Sequence, residues 1–195
     1  MAKTDLEMRR NLFHLGIGTL VAVLLYFNVL NVLIILLVTI AGLLLSLTSR
    51  KKRVPVVGFM LERFERPDVA GSFPGKGATY LFLGILLSVA LFPRSIALAS
   101  IMILTMADSV PCLVGSRGRI RDPLNDERFL EGTVAGFLLA FIAASFFVSP
   151  IEAFIATAFS VVIESFEKIN GRRIEDNVAI PLVAGLSMIL LRMFI

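Results

Sequence analysis

Two carboxylates stand where an apolar chain would be expected to carry none. Asp108 lies inside the run from Ser95 to Val114, and Glu164 lies inside the run from Ile151 to Phe166. A charge placed within a membrane-length apolar segment is expensive and is retained for function by default. Asp108 follows Arg94, and Glu164 follows Pro150, by the same spacing, which at helical rise is roughly 21 Å. Both therefore fall at one depth, near one end of their segments. Three more polar positions share that level: His14 one turn after Arg10, Glu131 before the run that starts at Gly132, and Asp176-Asn177 before the run that starts at Val178. Glu131 and Asp176 would also be favoured simply as acidic residues at helix N-termini.

The segment after Asp108 adds a second chemistry. Gly115-Ser116-Arg117-Gly118-Arg119 joins glycines, which let backbone approach a phosphate, to guanidinium groups that bind its oxygens in pairs. Carboxylates within reach of arginines suit a nucleotide phosphate with Mg²⁺, a cation that takes one or two protein carboxylates plus substrate oxygens. No Walker-A sequence is present, so such a site is not a P-loop. The single cysteine, Cys112, excludes a disulfide framework and a CxxC metal site, and is expected to be a buried packing residue.

The elements that must position these groups are read from hydropathy. The 195 residues are 57% hydrophobic and 17% charged, with mean hydropathy +0.88. A soluble domain carries nearer ~25% charged residues, so a bilayer is the natural solvent. Backbone groups in lipid must be bonded internally, and no run alternates as a strand would, which predicts an all-α polytopic transmembrane bundle. Seven spans are expected, at about Leu12–Phe27, Val29–Thr48, Gly77–Phe92, Ser95–Val114, Gly132–Val148, Ile151–Phe166 and Val178–Met193. Asn28 and Asn31 mark the first turn. The whole chain, 1–195, reads as one membrane domain with polar loops at about 49–76, 115–131 and 167–177. All of the 19 lysines and arginines except Arg94 and Arg192 then fall on one side. The positive-inside bias puts the N-terminus and those loops in the cytoplasm and the C-terminus outside. The basic excess is thus a matter of topology, and no nucleic-acid partner is expected. Within the first long loop, Val57, Met60, Leu61 and Phe64 have the spacing of an amphipathic helix lying in the headgroup plane.

The polar residues, taken in order, resemble the CTP-dependent lipid kinases: dolichol kinase, phytol kinase and the CTP-type diacylglycerol kinase, with wider kinship to phosphatidate cytidylyltransferases. Glu7-Met8-Arg9-Arg10-Asn11-Leu12-Phe13-His14 is similar to the family's opening arginine-lysine-x-x-histidine. Gly75-Lys76-Gly77-Ala78-Thr79-Tyr80 leading to Leu91-Phe92-Pro93, Asp108-Ser109-Val110 through Gly115, and Glu131-Gly132-Thr133 resemble its central motifs. Glu164 with Asp176-Asn177-Val178-Ala179-Ile180-Pro181 resembles its closing one. The matches run over nearly the whole chain. Asn11, Pro111 and Arg128-Phe129 stand where the family has a lysine, a small residue and a lysine-threonine.

The resemblance implies transfer of the γ-phosphoryl group of CTP to a membrane lipid alcohol, of polyprenol or diacylglycerol type, at the cytoplasmic face of what is expected to be a prokaryotic cell membrane. It implies Asp108, Glu131 and Asp176 as Mg²⁺ or nucleotide ligands, with Asp108, Glu131 and His14 catalytic. Arg10, Lys76, Arg117, Arg119 and Arg128 would neutralise phosphate, and Gly115, Gly132, Glu164, Asp176 and Asn177 would complete the binding site. A CDP-lipid synthase, attacking the α-phosphate instead, would use the same residues. A lipid or ion transporter built on Asp108 and Glu164 is the alternative of another class; it would need polar groups near the midplane, reachable from both sides. The partners expected are the nucleotide, the lipid alcohol and the surrounding lipids, and assembly with a second copy stays open.

Overall fold

The computed structural model describes residues 2–49, 63–64, 73–123, 125–165, 168–169, 172–173 and 175–194. It is all-helical. Among the described residues the helices are α1 (Ala2–Tyr26), α2 (Val32–Ser49), α3 (Lys76–Leu91), α4 (Arg94–Gly115), α5 (Leu130–Ala144), α6 (Pro150–Ser165) and α7 (Asp176–Phe194). Each expected span corresponds to one of them. The largest departure is α1, which begins ten residues before the expected Leu12, because the polar Lys3–Arg10 stretch continues the helix beyond its apolar part. Three helices, Val32–Ser49, Arg94–Gly115 and Asp176–Phe194, are long and apolar enough to cross a membrane, and Lys76–Leu91 and Leu130–Ala144 are shorter apolar helices. The expected amphipathic helix lies outside the described residues except for its end. There Phe64 stacks on Phe13 of α1 with ring centroids 4.7 Å apart.

Two expected loops contain short antiparallel pairings. β1 (Arg121–Asp122) pairs with β2 (Asn125–Phe129), and β3 (Lys168–Ile169) pairs with β4 (Arg172–Arg173). The turn between α1 and α2 is formed as the asparagines suggest. Asn28 takes a left-handed backbone (φ 57°), and the Asn31 side chain accepts the Ile34 N–H at 3.0 Å to start α2.

α4 is the central helix, packed against α1, α3, α5, α6 and α7. Ile96, Ile101, Ile103, Leu104 and Ala107 on it are fully buried. The exterior is the reverse of a soluble protein's: Leu20, Leu37, Leu91, Leu138, Phe159 and Leu190 are all more than 50% or close to 50% exposed, spread over six helices. Hydroxyls within the bundle bond back to their own helices, Thr39 to the Ile35 carbonyl and Thr105 to the Ile101 carbonyl, each at 2.7 Å.

Small residues set the closest crossings. A Cβ added to Gly132 would lie 2.3 Å from the Pro111 carbonyl oxygen and 3.0 Å from the Gly115 Cα, so α4 and α5 meet almost backbone to backbone. The Pro111 ring occupies the space a side chain at Gly136 would need. Gly132→Ala is expected to force these helices apart and lower the thermal midpoint by several degrees, an overpacking cost of about 1–3 kcal/mol. A melt in detergent checks it, and an unchanged midpoint would refute the crossing.

The pairings across the bundle define its two ends. At one end His14 meets Asp108, Gly115 meets Gly132, and Asn177 meets Gly77. At the other, Arg94 donates to the Leu25 and Tyr26 carbonyls, Phe92 fills the space beside Gly185, and Arg192 pairs with Glu152. The starts of α1, α3, α5 and α7 and the end of α4 therefore share the first end.

Candidate functional site

The first end of the bundle gathers the polar residues singled out by the sequence. α1 supplies His14, α4 supplies Asp108, β2 supplies Arg128, α6 supplies Glu164, and the first turn of α7 supplies Asp176 and Asn177. His14 Nε2 lies 2.8 Å from Asn177 Oδ1 and 3.7 Å from Asp108 Oδ2. The amide nitrogen of Asn177 is 3.5 Å from the Gly77 carbonyl, which orients its oxygen toward His14. A carbonyl oxygen only accepts, so His14 donates through Nε2, and the proton sits on the nitrogen nearest Asp108.

Arg128 forms an ion pair and hydrogen bond with Glu164, whose side chain is 1% exposed. Asp108 and Asp176 also act on the Arg128 guanidinium electrostatically. Burial works against its charge, but the Glu164 carboxylate outweighs that and holds the guanidinium above its ordinary pKa. One arginine thus faces three carboxylates drawn from three helices.

Proline explains part of the backbone arrangement. Pro181 lacks the N–H that would bond the Asn177 carbonyl four residues before it. That carbonyl lies where a Cβ on Gly84 of α3 would stand, only 1.9 Å from the built position. Glycine at 84 is what allows the first turn of α7, and with it Asn177, to sit against α3.

Several residues do something other than expected. Glu131 is turned into the loop: it accepts the Arg119 N–H at 2.8 Å and the Ile120 N–H at 3.2 Å. The Arg119 N–H is the chief reason its carboxyl is held below the ordinary value, helped by its own N–H and that of Ile120. In this conformation it anchors the loop. Gly115 and Gly118 were expected to bring backbone to a phosphate. Gly115 instead abuts Gly132, and a Cβ on Gly118 would lie 2.3 Å from the Phe129 side chain, so both serve close packing of the loop on α5. Cys112 is exposed rather than buried. Lys76 pairs with Glu175 and lies over the Tyr80 ring, and Arg10 pairs with Glu7 at 3.2 Å, so both must exchange partners to meet a phosphate. Arg117 and Arg119 are exposed, just past the end of α4.

Two contacts had gone unnoticed in the sequence. Asp122, 2% exposed, accepts the Thr133 hydroxyl and so fastens the β1–β2 hairpin to the start of α5, and Arg121 stacks on Phe129 at 4.6 Å across the hairpin. The only signal was an aspartate in a polar loop, which usually marks a solvated turn.

The Glu131 anchor has a pH signature. Its depressed carboxyl means the ionised form is favoured by the folded loop, so the stabilisation is complete above the ordinary glutamate value of about 4.3 and is lost as pH falls through the lowered one. Hydrogen exchange at Arg119 and Ile120 is expected to quicken, relative to the rest of the loop, on acidification or in Glu131→Gln. Unchanged relative protection in that variant would refute the anchor.

Among the described residues no group of three His, Cys, Asp or Glu side chains is arranged to hold a metal ion. Asp108 and Asp176, the two carboxylates that act on Arg128, still fit a Mg²⁺ bound mainly through phosphate oxygens, since one or two hard oxygen donors suffice for that mode.

No protein-family model matches the chain. Two relatives align over nearly their full lengths. An uncharacterized protein of Methanocaldococcus jannaschii is 27% identical over 182 residues, covering 92% of this chain and 91% of the relative. An uncharacterized protein of Rickettsia prowazekii is 28% identical over 196 residues, covering 94% and 93%. No solved structure matches.

Proposed function

We propose that the protein is a membrane lipid kinase that moves the γ-phosphoryl group of CTP to a lipid alcohol. The observation that supports this most is the meeting of His14, Asp108, Arg128, Glu164, Asp176 and Asn177 at one end of an apolar bundle, beside the exposed Arg117 and Arg119. An anionic donor reaches this end from water and an apolar acceptor reaches it from the bilayer. On this reading all seven helices span, with the N-terminus and the site cytoplasmic and the C-terminus outside.

In the transfer, the acceptor hydroxyl oxygen bonds to the γ-phosphorus while the bond from that phosphorus to the β–γ bridging oxygen breaks. CDP leaves with the electron pair, and the hydroxyl proton passes to Asp108. His14 Nε2 is already protonated toward Asn177, so the carboxylate is the better base, and His14 holds it in place and stabilises its charge. Arg117 and Arg119 offset charge on the transferring phosphoryl oxygens. Arg128, held by Glu164, sets the positive potential against which Asp108 and Asp176 are placed. Mg²⁺, held by Asp176 and the phosphates, would supply charge neutralisation.

The test uses purified protein with Mg²⁺, mixed membrane lipids and CTP labelled at the α or the γ phosphate. Label reaching lipid only from the γ position is the expected result. Label only from the α position would make the protein a CDP-lipid synthase, and transfer of neither, with ATP also tried, would end the kinase reading. Mg²⁺-CTP should also raise the thermal midpoint, because a ligand at about 100 times its Kd stabilises the folded state by about 2.7 kcal/mol.

A further inference from the structure

Ile120 stands 58% exposed among three exposed arginines, Arg117, Arg119 and Arg121. The only carboxylate of residues 116–123 is Asp122, which is buried and bonded to Thr133, so the exposed charges of this stretch are all positive. Ile120 and Arg121 take no part in the phosphoryl transfer proposed above. The backbone fixes where the apolar side chain lies. The Ile120 carbonyl accepts the Leu130 N–H at 2.9 Å, and the Ile120 N–H is held by the Glu131 carboxylate at 3.2 Å. Both bonds tie Ile120 to the first turn of α5. From Leu130, four-residue steps run along one side of α5 through Val134, Leu138 and Ile142, which are 48%, 49% and 51% exposed. That side belongs to the apolar exterior of the bundle. Ile120 thus stands at the head of an outward apolar stripe, past the end of the helix, with cations beside it. A lone exposed isoleucine needs no partner, but an apolar residue that prolongs such a stripe into a cationic loop has the make-up of a membrane-surface anchor.

We propose that the β1–β2 hairpin rests on the membrane surface at the site end of the bundle, with Ile120 at the boundary of headgroups and acyl chains and Arg121 on the phosphate of an anionic phospholipid. Charge selects the anionic lipid over a neutral one, by about fivefold for each arginine brought to an anionic surface. The contact bears on the site through the hairpin itself. Arg121 pairs with Phe129 across the two strands, and Arg128, the next residue of β2, pairs with Glu164. A lipid held at Arg121 therefore steadies the strand that carries Arg128 into the bundle. The proposal rests on the membrane topology of the lipid-kinase reading and on none of its chemistry.

The protein has no tryptophan, so a single one can report on the hairpin. Ile120→Trp places it at the proposed contact, and Leu138→Trp on the same side of α5 is the control; both positions are exposed, so neither change disturbs the core. Each variant is reconstituted in equimolar phosphatidylcholine–phosphatidylglycerol vesicles in which only one of the two lipids carries bromine, high on its acyl chains. Ile120→Trp is expected to be quenched at least about threefold more by brominated phosphatidylglycerol than by brominated phosphatidylcholine, within what one arginine at an anionic surface supports. Leu138→Trp should be quenched equally by both. Adding Arg121→Gln to Ile120→Trp should bring its preference close to that of the control, whereas Arg121→Lys should keep most of it. Equal quenching of Ile120→Trp by the two lipids, or a preference that Arg121→Gln leaves unchanged, would overturn the proposal. So would quenching of Ile120→Trp by aqueous iodide and by neither lipid, which would put the hairpin in water. A Leu138→Trp that neither lipid quenches would take α5 out of the bilayer and the anchor with it. The readout needs no catalysis. Transfer of the γ label decides the kinase reading separately, so either can fail while the other stands.

Discussion

Arg128→Met is expected to lower the thermal midpoint of the protein by about 6–12 °C. The physical cause is the state in which it leaves Glu164, whose side chain is 1% exposed and whose contacting cation would be gone. Removing one member of a buried ion pair costs about 3–5 kcal/mol, and the lower part of that range applies because about a quarter of the Arg128 side chain still reaches solvent. For a chain of this size each kcal/mol corresponds to about 2–4 °C. Pairing the change with Glu164→Gln, which removes the uncompensated carboxylate, should recover most of the loss. Activity should not return with it, since Asp108 and Asp176 would have lost the cation they face. If the double variant is as unstable as the single one, the cost lies in packing of the Arg128 stem, and the electrostatic account fails. If the single variant melts like the unaltered protein, the ion pair holds nothing together.

How much of this could be read from the sequence differs between elements. The helices were legible because long apolar runs are interrupted by charge in few places, and Asn28, Asn31, Pro93 and Pro150 punctuate them. The shared depth of Asp108 and Glu164 was legible because helical rise is constant. Partners were not. Arg128 was expected to meet phosphate, and only the fold of β2 onto α5 carries it to Glu164. Glu131 was expected to contact metal or nucleotide, and its contacts with the Arg119 and Ile120 N–H groups could not be read, because they depend on how the loop turns back onto α5. Gly84, Gly115 and Gly132 carried no sign of which neighbour they admit, because close approach depends on which faces of two helices meet. The Pro111 ring is matched by the empty side-chain position at Gly136, a fit between two helices that no single run of sequence reveals.

Asp108→Asn should reduce kcat by about 10²–10⁴-fold, the range associated with losing a positioned acid–base group. Asparagine keeps the size of the side chain, so the midpoint should move little, while the ability to take the acceptor proton is lost. Mg²⁺-CTP should still raise the midpoint, because Asp176 remains to hold the Mg²⁺ and the arginines to bind the phosphates. That result separates chemistry from binding. His14→Asn alone should cost less, since it removes the group 3.7 Å from Asp108 that helps to place the carboxylate, but not the carboxylate itself. Combined, the two changes should be little worse than Asp108→Asn alone, because residues that act as one unit lose their effect together. Strict additivity would mean that His14 acts on the reaction independently of Asp108, for instance through Asn177 and the first turn of α7. Full activity in Asp108→Asn would remove the aspartate from the chemistry and leave the cluster as a structural device for burying Arg128.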